Sequence, residues 1–111
     1  VVEGAGGIMV PINEMALMVD LMERLRLPVV VVARSGLGTI NHTLMTLDVL
    51  RRRHVPLLGV VMNGQRNPAN HQAIEHFGGV KVLAEIQPLL AVNAATIAGL
   101  PPPVFPIPGA P

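Results

Sequence analysis

Leu27-Pro28-Val29-Val30-Val31-Val32-Ala33-Arg34-Ser35-Gly36-Leu37-Gly38-Thr39 decides how this chain folds. Pro28 stops whatever helix precedes it, because it lacks an N–H and clashes with the preceding turn. Val29 to Ala33 is then a β-branched run without alternation, the pattern of a central parallel strand buried on both faces. Arg34 to Gly38 reads as a loop. A helix is predicted from about Thr39 to Arg53, with Ile40, Leu44, Leu47 and Leu50 on its buried face. Its basic end, Arg51-Arg52-Arg53-His54, complements the helix dipole. That run could bind phosphate; a solvated helix end is the ordinary alternative.

The same alternation extends in both directions. On the amino side, Val1-Val2 reads as the tail of a strand that opens into Glu3-Gly4-Ala5-Gly6-Gly7. A strand at residue 1 with no Met predicts that the chain begins inside a domain. Residues 8–13 read as a loop. Met15, Met18, Val19, Met22 and Leu25 then fall at helical spacing between Glu14 and Leu27, with Asn13 as the candidate N-cap. On the carboxyl side, Leu57 to Met62 is a strand ending at Asn63-Gly64. Asn70 to Phe77 is a short helix closed by Gly78-Gly79, and Val80 to Leu83 is the last strand. Residues 93–99 could form a short helix. Pro101-Pro102-Pro103, Pro106, Pro108 and Pro111 leave little room for regular structure, whether the tail is loose or docks as polyproline II. Strand–helix alternation with short connections implies right-handed crossovers and a parallel sheet. The expected architecture is α/β, a partial doubly wound parallel sheet. Residues 1–92 form the domain portion and 93–111 an Ala/Pro-rich tail.

Composition narrows the function. Only 14% of residues are charged, against about 25% in ordinary domains. Strands buried on both faces would explain the shortfall, and so would surface covered by further chain or by a partner. The net charge of +1 and the absence of Tyr and Trp remove the electrostatic and stacking case for nucleic acid. No Cys is present, which excludes disulfides and thiolate metal sites. The apolar runs are too short to span a bilayer. A cytoplasmic location is expected.

In open α/β sheets, ligands bind at the carboxyl ends of the strands. Those ends are Glu3–Gly7, Arg34–Gly38, Asn63–Gln65 and Ala84–Leu89. Glu3 is the only acid there apart from Glu85, and a carboxylate beside a nucleotide suits Mg²⁺. The alternative is a surface acid on a plain turn. Gly4, Gly6 and Gly7 would let the backbone approach an anion closely. Gly36 and Gly38 lead into a helix start whose free N–H groups attract an anion such as a carboxylate; capping by Thr39, with Asn41 merely exposed, is the alternative. Asn63 can offer a donor and an acceptor to a purine edge, or simply form an Asn-Gly turn. His42 and His71 have no partner acid at useful spacing, and no Ser-His-Asp constellation occurs. No Gly-x-x-x-x-Gly-Lys-Ser/Thr occurs either, so these residues cannot cradle a triphosphate in the usual way.

Val1-Val2-Glu3-Gly4-Ala5-Gly6-Gly7, Val10-Pro11, Leu27 to Val32, Gly36-Leu37-Gly38-Thr39-Ile40-Asn41-His42-Thr43-Leu44, Gly59-Val60-Val61-Met62-Asn63 and Leu83-Ala84-Glu85-Ile86 together resemble dethiobiotin synthetase. The match covers roughly residues 1–89, and the Gly-Leu-Gly-Thr-Ile-Asn-His stretch is its most specific part. The resemblance implies a P-loop NTPase-like enzyme of biotin biosynthesis, here its carboxyl-terminal half. Such an enzyme uses MgATP and CO₂ to close a ureido ring on 7,8-diaminopelargonic acid. A carbamate forms, ATP phosphorylates it, and ring closure expels phosphate. The family works as a homodimer. By the same resemblance Glu3 matches the Mg²⁺ ligand, and Gly4, Ala5 and Gly6 the phosphate-side loop. Asn63 matches the adenine-reading Asn, with Gly64 beside it, and Gln87, Pro88 and Leu89 align with an adenine-side loop. Asn41, following Gly38 at its helix start, matches a contact to the substrate carboxylate made across the dimer.

Two departures stand out. The family's adenine loop usually reads Glu-Ile-Pro, whereas Glu85-Ile86 is followed here by Gln87-Pro88. The acid that usually holds the ribose is replaced by Ala91, Val92, Asn93 and Ala94. The P-loop, the catalytic Lys and a second acidic Mg²⁺ ligand belong to an amino-terminal half, so no catalytic residue is expected in these 111 residues. Two other readings compete: a cobyric-acid-synthase-type P-loop ligase, against which the Asn-His helix start argues, and a non-enzymatic half-domain that binds a partner through an exposed sheet edge.

Overall fold

The computed structural model describes residues 1–105. The part of the predicted tail that holds Pro106, Pro108 and Pro111 lies outside the described residues. Strands β1 (Pro11–Asn13) and β2 (Ala16–Leu17) form a small antiparallel hairpin. Then follow α1 (Met18–Leu25), β3 (Val29–Arg34), α2 (Thr39–Arg52), β4 (Leu57–Asn63), α3 (Pro68–Gly78), β5 (Val82–Ile86) and α4 (Ala94–Ala98). β3, β4 and β5 form a parallel sheet in that order. Each crossover is one helix, as the strand–helix alternation requires.

α2 and α3 cover one face of the sheet. Ala33 from β3, Val60 and Met62 from β4, Leu47 from α2 and Ile74 from α3 form the main core. Leu47, Val60 and Ile74 are wholly buried, and burial of each such side chain contributes about 1.5–3 kcal/mol. A second cluster of Ile8, Val19, Leu50 and Val55 joins the amino-terminal loop, α1 and the end of α2. Gly59 lets β5 lie close, because a Cβ there would stand 2.6 Å from Leu83 Cγ and 2.8 Å from the Lys81 carbonyl.

α1 is shorter than its pattern. Asn13 does not cap it; the Asn13 side chain accepts from the Met15 N–H at 2.8 Å, turning the β1–β2 hairpin. Leu17 is the N-cap, and Asp20 reaches back to its N–H at 2.7 Å. Arg26, in the left-handed region at φ 52°, ends the helix. α2 spans its expected range and buries Leu47 and Leu50, but Ile40 and Leu44 are only half-buried and Thr39 and Thr43 take the buried positions beside them. Its N-cap is Gly38 at φ 90°, not Thr39. α3 starts earlier than expected: Asn67 caps it by accepting from the Asn70 N–H at 3.0 Å, and Pro68 holds its first position.

Two further expectations are corrected. Val1-Val2 is no strand; both residues are exposed and unpaired among the described residues. β3 is therefore an edge strand of three, and Val32, on the face away from α2 and α3, is 67% exposed. The last strand is Val82–Ile86, shifted toward the carboxyl end because pairing with β4 carries it on to Ile86. The arginine run is a largely exposed helix end, the ordinary one of its two readings, and each arginine has a partner within the chain. Arg51 caps the α3 end at the Gly78 and Gly79 carbonyls, Arg52 pairs with Asp48 at 2.9 Å, and Arg53 bonds Asp20 and Glu23 at 2.7 Å each. No helix among the described residues is long and apolar enough to cross a membrane.

Candidate functional site

The sheet register sets the site. Arg34 is the partner of Asn63, and Asn63 is the partner of Ile86. Three strands therefore end side by side, and the loops that leave them, Ser35–Gly38, Gly64–Asn67 and Gln87–Leu89, share one edge. The edge is held by backbone. The Gly64 N–H donates to the Ile86 carbonyl at 2.9 Å. Asn70 Nδ2 donates to the Ser35 carbonyl at 2.8 Å, which fastens the β3 loop to α3.

Gly64 stands at φ 142°, and a Cβ on it would collide with Ser35 Oγ. The glycine lets the β4 and β3 loops touch. It leaves the Asn63 side chain exposed at the edge, with its amide donors and carbonyl acceptor free of protein partners among the described residues. Gln87 and Pro88 are exposed one and two residues past Ile86, while Leu89 is half-buried. Gly38 opens α2. Asn41, in the first turn, is exposed and makes no side-chain hydrogen bond among the described residues. It is not spent on capping, and the α2 amino end carries no acidic residue in its first turn.

Glu3, Gly4, Ala5 and Gly6 are exposed, but they leave no strand. A Cβ on Gly4 would sit 3.0 Å from Met18 Sδ, and one on Gly6 3.1 Å from Val10 Cγ2. The glycine loop thus packs on the start of α1 and on Val10. No hydrogen bond or ion pair joins it to the strand-end loops among the described residues. Three or more His, Asp or Glu side chains do not converge as a metal site among the described residues. Mg²⁺ needs one or two carboxylates, with phosphate oxygens and waters completing its shell. An exposed, unpaired Glu3 fits as one such ligand.

His71 overturns its sequence reading. It lies between two acids, Nδ1 at 3.4 Å from Glu85 Oε1 and Nε2 at 3.8 Å from Glu75 Oε1. Glu75 is one turn further along α3, and β5 brings in Glu85. Arg66 Nε stands 3.5 Å from Glu85 Oε2. Glu85 Oε1 is buried without a hydrogen-bond partner. The Val82 N–H, donating at 3.0 Å, holds the Glu75 carboxyl below its usual range, and Lys81 and His71 add to this.

The family model of the AAA domain matches residues 1–96. A protein of Paramagnetospirillum magneticum named ATP-dependent dethiobiotin synthetase BioD is 86% identical over all 111 residues, which make up 54% of its own length. The Lawsonia intracellularis protein of the same name is 43% identical over 101 residues, half of its length. A biotin biosynthesis bifunctional protein BioCD of Bordetella avium is 57% identical over 97 residues, 21% of its length. The chain spans about half the length of the dethiobiotin synthetases it matches, or less. It belongs to the AAA-domain family, and over its whole length it is similar to the dethiobiotin synthetases.

Proposed function

We propose that these residues form the base-reading and carboxylate-reading portion of a cytoplasmic, homodimeric dethiobiotin synthetase, acting with a P-loop-bearing segment. The 86% identity over all 111 residues carries this reading. In it the protein closes the ureido ring on 7,8-diaminopelargonic acid with CO₂ and ATP. Asn63, with Gly64 beside it and Gln87–Leu89 next to it, reads the adenine edge through one donor and one acceptor. Gly38 and Asn41 receive the substrate carboxylate, where free N–H groups and the α2 dipole favour an anion. Glu3 holds Mg²⁺, and Gly4, Ala5 and Gly6 let backbone approach the phosphates. Bound Mg²⁺ supplies charge that stabilises phosphoryl transfer. The chain's own groups bind and orient the nucleotide and, across the dimer, the substrate carboxylate. The test supplies diaminopelargonic acid, MgATP and labelled bicarbonate to the protein carrying this chain and its P-loop. The reading expects label in dethiobiotin with matching phosphate release; ATP hydrolysis with no labelled product rejects it.

A further inference from the structure

Glu85 has no part in the reading above, yet it is the most connected acid at the site edge. It lies on β5, the register partner of Met62 and one residue before Ile86. Its two oxygens face two other segments. Oε2 faces Arg66 of the β4–α3 loop at 3.5 Å, and Oε1 faces His71 of α3 at 3.4 Å. The Arg66 loop is the one that begins with Gly64, just after Asn63. The Ile86 that follows Glu85 accepts from Gly64 and leads into Gln87. Asn63 is thus three positions from Arg66, and Gln87 is two positions from Glu85 itself.

The chemistry of the cluster argues against a bystander. Its Oε1 is buried and makes no hydrogen bond, a state that costs free energy unless a charge faces it. Charge reaches this carboxylate from Arg66 at Oε2, and reaches Oε1 from His71 when that ring is protonated. Glu75 and Lys81, 3.8 Å apart, complete the set around His71. Both contacts to Glu85 are longer than an ordinary hydrogen bond, and the one to Arg66 acts through charge. An exposed ion pair on a plain surface would contribute little, but the Glu85 side chain is only 20% exposed.

We propose that Glu85 is a positioning residue for nucleotide recognition. By holding Arg66 and His71 it fixes the Asn63–Gly64–Gln65 turn and the Gln87 loop in one geometry, the one that meets a purine edge. It touches no part of the nucleotide. The proposal rests on the assignment of Asn63 to the base.

The experiment measures Kd for ATP, GTP and inorganic tripolyphosphate on the protein carrying its P-loop, in the wild type and in Asn63→Ala, Glu85→Gln, Arg66→Ala and Arg66→Lys. Asn63→Ala and Glu85→Gln are expected to weaken ATP about 5- to 10-fold, narrow the preference for ATP over GTP, and leave tripolyphosphate unchanged. Arg66→Ala moves in the same direction, and Arg66→Lys, which keeps the charge, recovers most of the loss. Arg66 is 69% exposed, so its variants report even where Glu85→Gln fails to fold. If Asn63→Ala narrows the preference while Glu85→Gln and Arg66→Ala do not, or weaken tripolyphosphate equally, the positioning role is overturned. If Asn63→Ala leaves the preference intact, the base assignment itself fails.

Discussion

The backbone N–H of Gly64 donates to the carbonyl of Ile86 at 2.9 Å, joining the ends of β4 and β5 into one edge. Gly64 manages this at φ 142°, a value that side-chain-bearing residues rarely adopt, with Ser35 filling the space where a Cβ would go. Gly64→Ala is therefore expected to lower stability by about 1–3 kcal/mol. Gly36→Ala, in the neighbouring loop with nothing within 4 Å of its Cβ position, should change stability by no more than about 0.5 kcal/mol. Urea denaturation of both variants checks the pair; equal effects would remove the special role given to Gly64.

The parallel sheet and its row of strand ends were legible in the sequence, but not every element was. β3, β4 and α2 were legible because their signals are local: a valine run, an apolar run ending in Asn-Gly, and a 3.6-residue stripe. β5 was misplaced because its register is set by pairing with β4, and α1 was too long because a methionine stripe does not reveal the hairpin turn at Asn13. Val1-Val2 looked like a strand from composition, but a strand needs a paired neighbour. The His71–Glu85 pair was missed because the two residues come from α3 and β5, and only the crossover brings them together.

Acid stability has an assignable source. The Leu17 N–H and then the Arg53 guanidinium hold the Asp20 carboxyl below its usual range. Because the folded value is depressed, the contribution of Asp20 is complete above the unfolded value of about 3.9. It is lost as pH falls through the lower, folded value. Asp20→Asn should flatten the decline of Tm between about pH 5 and about pH 2. An unchanged acid slope would detach Asp20 from acid unfolding.

Glu3 makes no ion pair or hydrogen bond within the described residues, so its substitution should leave the fold alone. In the protein carrying its P-loop, Glu3→Gln is expected to cut kcat steeply, since a metal charge stabilises the transition state by several kcal/mol. Melting temperature and kcat at saturating Mg²⁺ check both halves of this. A near-normal kcat would place Glu3 outside the site.

The 111 residues alone should form no dethiobiotin, because they contain no Gly-x-x-x-x-Gly-Lys-Ser/Thr and phosphoryl transfer depends on the groups of that loop. Product from pure chain with diaminopelargonic acid, bicarbonate and MgATP, above a blank without protein, would refute this.

Under the proposed function, Asn41 in the first turn of α2 and Asn63 at the end of β4 serve two different ligands. Asn41 is exposed and does not cap α2, whose N-cap is Gly38; Asn63 stands at the end of β4. Both KM values, for ATP and for diaminopelargonic acid, measured on Asn41→Ala and Asn63→Ala in the protein with its P-loop, test this most directly. The account predicts a crossed pattern. Asn41→Ala raises the diaminopelargonic acid KM by about 2- to 10-fold and spares ATP, and Asn63→Ala does the reverse. Melting temperatures should stay unchanged. A rise confined to ATP in Asn41→Ala, or both KM values moving together in either variant, would contradict it.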